Sequence, residues 1–262
     1  MKTSSLKAAK RIELPSSFLR TFMNGGLPKG SSISLIGPPG AGKTVFCESL
    51  AKSFLGNGST CLYVTMDSAP AHIRNDLNSM GIDIWTMENE KKLVFVDGYG
   101  WLTGNSEEAY HVESLANLAE LLILIERARS SLSEESSALV VFDSISPLLL
   151  HNPENDTVKF LQSLSARIFS QKDVGMIVIQ GGVHNEEFYN SIAYLVDGVF
   201  DMKIKEFKGK IKRQFRIRHL RFMPHRVEWV PFVIKEGKGF ILQKKKCLSK
   251  PSIKSARMPM LA

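Results

Sequence analysis

The stretch SSISLIGPPGAGKTVFCESLAKSFLG, residues 31–56, decides the fold. Its first six residues, three aliphatic side chains among three small serines with no charge, read as a buried strand. A glycine-rich turn follows, and from Thr44 to Leu55 apolar residues recur at helical spacing until Gly56-Asn57-Gly58. Between strand and helix, GPPGAGKT fills every fixed position of G-x-x-x-x-G-K-[ST], the phosphate-binding loop. Gly37, Gly40 and Gly42 let the backbone bend, so that the N–H groups of the loop from Gly37 to Val45, Ala41 among them and Pro38 and Pro39 excepted because they have none, can face phosphates. The helix N-terminus adds partial positive charge at the same place. Lys43 is then expected on the β- and γ-phosphates and the Thr44 hydroxyl on Mg2+, which makes Mg-ATP the expected ligand.

Outward from this loop, CLYVTM (61–66), KLVFVDGYG (92–100), SALVVFDS (137–144) and GMIVIQGG (175–182) are strand patterns. Helical periodicity separates them at 69–80, 111–132 and 156–170. Strands alternating with helices predict an α/β fold with a mainly parallel central sheet. The run VVFD has no polar alternation, as a central strand covered on both faces requires. It puts Asp143 at the strand's C-terminal end, where ligands bind in such sheets and a carboxylate can hold the Mg2+ hydration shell. One hundred residues separate Lys43 from Asp143, room for two further strand–helix units. Ser144 follows the Asp, so a water-activating carboxylate has to come from another strand.

After Asp201 the character changes. KIKEFKGKIKRQFRIRHLRF (203–222) alternates apolar and basic residues about Lys208-Gly209 and predicts an antiparallel basic hairpin. PFVIKEGKGFIL (231–242) predicts a last strand pair. The domain plan is an N-terminal arm at 1–15, one domain at 16–243 and a basic tail without core-forming pattern at 244–262.

The 262 residues carry a net charge of +8, unevenly distributed. Residues 203–262 hold 18 Lys and Arg against 3 acids, whereas residues 1–202 hold 16 against 23. Only the C-terminal quarter is therefore a candidate surface for an anionic partner. Lys203, Lys205, Lys210, Lys212, Arg216 and Arg218 can line one hairpin face, with Lys244 to Lys246 extending it towards nucleic acid. A solvated edge strand is the plainer account. Phe207, Phe215 and Phe222, at alternating spacing, are expected on the core. Three cysteines at no ligand spacing argue against a disulfide framework or zinc site and suit a reducing cytoplasm. No window approaches a membrane span, and the N-terminus lacks an apolar signal core.

With these motifs in order, the chain resembles the RecA superfamily, and within it the KaiC-like branch that includes RadA-like archaeal proteins. The resemblance rests on GGLPKG (25–30), GPPGAGKT (37–44), YVTMDSAP (63–70), VVFDSISPLLL (140–150), LVDGVFDMKIKE (195–206), HLRFMPH (219–225) and WVPFVIKEGKGFIL (229–242). It spans about residues 20–243 and one domain copy.

The resemblance implies a P-loop ATPase of RecA fold that forms a homo-oligomer with nucleotide at subunit interfaces. It implies a water-orienting carboxylate after the second strand, where this chain has Asp67 and then Ser68 in place of the usual glutamates. Asp67 equally suits a helix N-cap for the segment from Ala69. It further implies that Arg221 reaches a neighbour's nucleotide, with His219 replacing the family's lysine; a solvated strand-edge arginine is the alternative. Gln180 falls where the family places a γ-phosphate-sensing residue. His184 is expected in a solvent-facing loop.

The expected function is a slow Mg-dependent ATPase acting as a regulatory or assembly switch. Two alternatives stand beside it: an ATP-sensing scaffold with little hydrolysis, favoured by the shortened Asp67, and a RadA-paralogue-like accessory protein of DNA recombination.

Overall fold

In the computed structural model, residues 11–12, 26–133, 137–207 and 209–243 are described. The apolar segment Phe18–Met23, most of the expected arm and the basic tail lie outside them. Short strands β1 (Arg11–Ile12) and β2 (Leu27–Pro28) pair antiparallel, so the expected arm contributes one paired element.

The main sheet contains β3 (Ser31–Gly37), β4 (Cys61–Thr65), β5 (Leu93–Asp97), β6 (Leu139–Asp143), β7 (Val174–Gln180), β8 (Gly198–Phe207), β9 (Lys210–Leu220), β10 (Val230–Lys235) and β11 (Gly239–Leu242). These nine strands are ordered β11-β10-β9-β8-β3-β7-β6-β4-β5. From β8 to β5 every pairing is parallel, and from β8 to β11 every pairing is antiparallel. The expected α/β architecture with a C-terminal antiparallel extension is therefore the observed one.

Helices cover both faces: α1 (Lys43–Gly56), α2 (Pro70–Ser79), α3 (Ile84–Asn89), α4 (Leu118–Ser130), α5 (Leu148–His151), α6 (Glu154–Gln171) and α7 (Glu186–Leu195). Residues 139–143 are all buried, in keeping with their unbroken apolar pattern. Two apolar clusters result, one on the α1 side with Phe46, Tyr63 and Phe215, the other with Phe142, Leu164 and Phe188. Among the described residues no helix is long and apolar enough to cross a membrane.

Several boundaries differ from expectation. The helix predicted over 111–132 begins only at Leu118, where the Asn117 side chain accepts the Glu120 N–H as N-cap. Val112 and Leu115 are buried from an irregular segment instead, which periodicity alone cannot distinguish from a helical face. α3 and α7 were not expected, and β8 starts at Gly198, inside the parallel sheet, before it joins the hairpin. Of the three hairpin aromatics only Phe215 is in the core; Phe207 is 54% exposed and Phe222 78%. Phe207 shares the parity of Lys203 and Lys205 along β8, and Phe222 lies beyond the end of β9 with φ of 65°.

Two side-chain constructions fix the sheet around the loop. Phe46 of α1 packs against Phe200, Phe215 and Phe240 at 5.1–6.2 Å between centroids, tying the helix to β8, β9 and β11. Asp173, fully buried before β7, accepts two hydrogen bonds from Arg129 at 2.6 and 2.8 Å and one from the Ala138 N–H at 2.7 Å. It thereby holds the end of α4 and the starts of β6 and β7 together.

Candidate nucleotide site

The loop after β3 stands at the C-terminal edge of the parallel sheet, flanked by β7 and β8. Crossovers from β3 leave over β7 towards β4, so this is the point where strand order reverses and ligand crevices form. Gly42 is the N-cap of α1 with φ of 93°, a left-handed conformation that suits glycine, and no side chain caps the helix. A Cβ there would lie 2.7 Å from Ile234 Cδ1, so β10 packs directly under the bend. The Gly181 N–H donates to the Gly37 carbonyl at 2.8 Å, joining the loop to the end of β7.

Lys43 is buried and its ammonium is shared three ways. It donates to the carbonyls of Gly37 at 2.8 Å and Pro38 at 3.0 Å, and to Gln180 Oε1 at 2.7 Å. Burial lowers its pKa, opposed by the charges of Asp143 and Asp67. The positions named from sequence on β3, α1 and β7 thus converge. Pro39 and Gly40 are exposed at the loop crest, while Ala41 is buried below it.

Asp143 lies at the floor, 4% exposed, and burial pushes its carboxyl up to about 6. Hydrogen bonds from Thr44 and from the Tyr63 hydroxyl, the latter at 3.2 Å, and the Lys43 charge work in the opposite direction, while Asp67 adds to the rise. A hydroxyl and a carboxylate meeting under the phosphate loop form an oxygen-donor pair of the type that suits Mg2+. Tyr63 was not anticipated; its signal was only an aromatic two residues before the end of β4.

Asp67 stands just past β4 and is exposed. It does not cap α2, whose N-cap is Ala69 with no side-chain bond. Its Oδ2 instead accepts from Ser144 Oγ at 2.7 Å, and Ser144 is fully buried after a cis Asp143–Ser144 peptide. The serine that follows Asp143 is thus the partner of the Asp67 carboxylate.

His184 is half-buried, contrary to expectation. Its Nε2 lies 3.0 Å from Ser146 Oγ, which also accepts the Gln180 N–H at 3.0 Å. Burial lowers the His184 pKa, opposed by Glu154. No spacing rule links positions 146 and 184, because β6 and β7 bring them together only through their parallel register.

Arg221 is not brought to its own loop. Leu220 opposes Gly198, which opposes Ile33, at the edge of the sheet where β3 begins. There Arg221 Nη2 donates to the Tyr194 carbonyl at 3.0 Å. Arg213, not singled out in the sequence, does reach the loop, with Nε donating to the Gly40 carbonyl at 3.0 Å.

The basic hairpin face exists but is partly neutralised. Asp201 accepts from Arg216 at 2.8 Å and from Arg218 at 2.9 and 2.6 Å. Lys203 and Arg216 lie over the Trp229 ring at 3.5 and 4.5 Å. Lys244 to Lys246 lie outside the described residues. Among the described residues no cluster of three or more His, Cys, Asp or Glu could hold a metal ion by itself.

Comparison with known proteins agrees with this geometry. A family model described as "ATPase: KaiC" matches residues 17–246. The UPF0273 protein PH0284 of Pyrococcus horikoshii is 26% identical over 233 residues, covering 88% of this chain and 93% of that protein. The UPF0273 protein MK0039 of Methanopyrus kandleri is 24% identical, covering 87% and 90%. The circadian clock protein KaiC3 of Synechocystis is 24% identical over 224 residues, which are 84% of this chain but only 43% of the clock protein. A crystal structure of the KaiC-like protein PH0186 from Pyrococcus horikoshii superposes with a TM-score of 0.72 at 21% identity, over 90% of this chain and all of that one. The phosphate loop, the RecA-like sheet and the match over most of its length make this chain a member of the KaiC ATPase family.

Proposed function

We propose that the domain at 16–243 binds Mg-ATP and hydrolyses it slowly, as a switch within a homo-oligomer. The observation that carries this is the convergence on one loop of a buried lysine and a buried carboxylate. Lys43 is held by Gly37, Pro38 and Gln180, and Asp143 by Thr44 and Tyr63.

In this reading the backbone N–H groups from Gly40 to Val45 cradle the phosphates and Lys43 neutralises the β- and γ-oxygens. Thr44 and Asp143 would hold Mg2+, which when bound neutralises phosphate charge. Asp67, oriented by Ser144, accepts a hydrogen bond from the attacking water. Arg221 lies at the edge opposite its own loop, about 13 Å down the strand by the rise from Ile33 to Gly37, which favours supply to a neighbouring subunit.

The scaffold reading, binding with little turnover, is favoured by Asp67 being one methylene shorter than glutamate. DNA binding through the hairpin draws less support, because Asp201 already pairs with Arg216 and Arg218 and offsets one of their two charges. The test is phosphate release and solution size with and without Mg-ATP, for the wild type and Lys43→Ala. Wild-type release that needs Mg2+ and is lost in Lys43→Ala supports the ATPase. Equal rates in the two proteins would sink it, and tight binding without release selects the scaffold.

A further inference from the structure

Helix α7 touches the phosphate-proximal loop at one end and Arg221 at the other. At the first end the Tyr189 hydroxyl gathers the whole turn after β7. It donates to the Gln180 carbonyl at 2.6 Å and accepts from the N–H groups of Gly182 at 2.9 Å and His184 at 3.3 Å. Gln180 is therefore held at its N–H by Ser146, at its carbonyl by Tyr189 and at its side chain by Lys43. At the second end the Tyr194 carbonyl accepts from Arg221, whose N–H donates to the Asp197 carbonyl at 2.7 Å. Asp197 in turn exchanges two hydrogen bonds with Ser32 of β3, at 2.8 and 3.0 Å.

α7 is fit to carry a displacement. Its ten residues span about 15 Å as a helix. Phe188 and Ile192 are fully buried on its inner face, and Asn185 caps its start by accepting the Phe188 N–H at 2.7 Å. A short, capped helix packed on two large side chains shifts as a body more readily than it bends.

We propose that Tyr189 is a positioning residue that couples γ-phosphate occupancy, felt by Gln180, through α7 to Arg221. This rests on the nucleotide reading above. A γ-phosphate arriving at Lys43 competes with Gln180 Oε1 for the ammonium. Gln180 then turns its amide N–H towards the new anion, and its backbone follows. Because one phenolic oxygen holds both the Gln180 carbonyl and the amides of Gly182 and His184, the loop and α7 move together. ADP brings only its β-phosphate to the ammonium, which keeps a donor for Gln180 Oε1, whereas ATP adds the γ-phosphate and takes that donor. The arginine proposed to serve a neighbour is thus informed of its own subunit's nucleotide.

Tyr189→Phe removes only the hydroxyl and keeps the ring beside His184 and Phe188. Hydrogen exchange of residues 181–195 and of the Arg221 amide, with ATP, with ADP and without nucleotide, reads the coupling. The wild type should show a change specific to ATP at both ends. Tyr189→Phe should bind ATP within about threefold of wild type, lose that change and release phosphate about tenfold more slowly, a kcat effect without a matching binding effect. In a Gln180→Ala background the further substitution should change release by less than about twofold, because both residues act through one contact. A merely structural tyrosine would give additive losses, and additivity would overturn the proposal. So would identical exchange with ATP and ADP in a wild type that binds both. Failure of the wild type to bind nucleotide at all would overturn the nucleotide reading itself, and this inference with it.

Discussion

Arg213 Nε donates to the carbonyl of Gly40 at 3.0 Å, linking β9 to the crest of the phosphate loop across 173 positions of sequence. The opposite parity explains it: Arg213 points to the same side as Phe215 and Ile217, whereas Arg216 points to Asp201. A guanidinium in this place both fixes the loop and adds positive charge where phosphates are expected. Arg213→Ala should weaken ATP binding about tenfold, or about 1.4 kcal/mol, with little change in thermal unfolding. Calorimetric titration with ATP checks it. Arg213→Lys should recover only part of the loss, since a lysine lacks the planar fork.

Glu48 predicts an unusual pH dependence. It is fully buried on α1, neither carboxyl oxygen has a donor, and the Asp76 carboxyl of α2 lies against it. Only a proton on one of the acids turns that approach into a hydrogen bond. Burial first, then Asp76 and Asp143, push its pKa from 4.5 up to about 8. The folded chain then holds a proton that the unfolded chain releases above pH 4.5, so stability is greatest at low pH for this group. It falls between the two values and levels off above about 8, a change on the order of a few kcal/mol. Unfolding temperatures measured from pH 5 to 9 should decline in the wild type and decline far less in Glu48→Gln. Equal slopes would show that another group is responsible.

Asp67 is expected to limit turnover without limiting binding. Asp67→Ala should reduce phosphate release by about a hundredfold or more, the usual range for a positioned acid–base group, with ATP affinity nearly unchanged. Asp67→Glu should raise release above wild type if reach is what limits the rate. Ser144→Ala removes the 2.7 Å donor and should lower release without altering affinity. Steady-state phosphate release beside equilibrium nucleotide binding separates these outcomes.

Asp173 should be needed for stability and not for chemistry. Asp173→Ala leaves Arg129, whose side chain is only 15% exposed, without its two acceptors, and the Ala138 N–H without a partner. Breaking a buried pair in this way costs about 3–5 kcal/mol. Chemical unfolding of Asp173→Ala should show that loss. Arg129→Met with Asp173→Leu should recover part of it.

The site was unevenly legible. Lys43, Thr44 and Asp143 were readable because each sits at the end of a strand or start of a helix whose apolar pattern announces it, whereas Gln180 was reached only through the family resemblance. The resemblance also named Asp67 but left its role divided between helix cap and water ligand. The structure removes the cap, since Ala69 takes that position, and supplies Ser144 as the partner. Tyr63, Ser146 with His184, Tyr189 and Arg213 were unreadable, because their meaning lies in contacts between elements that no local spacing encodes.

By itself the sequence determined the α/β plan, the phosphate loop and the strand end that carries Asp143. Apolar periodicity and glycine placement are local properties, and a strand–turn–helix is a local structure. Tertiary structure alone decided which basic residues stay free, which carboxylates are buried, and where the two arginines point. Those outcomes follow from strand order and register: β9 pairs beside β8, so one face meets Asp201 while the other meets the loop. Arg213 thereby joins the site of its own chain, and Arg221 is carried to the far edge of the sheet.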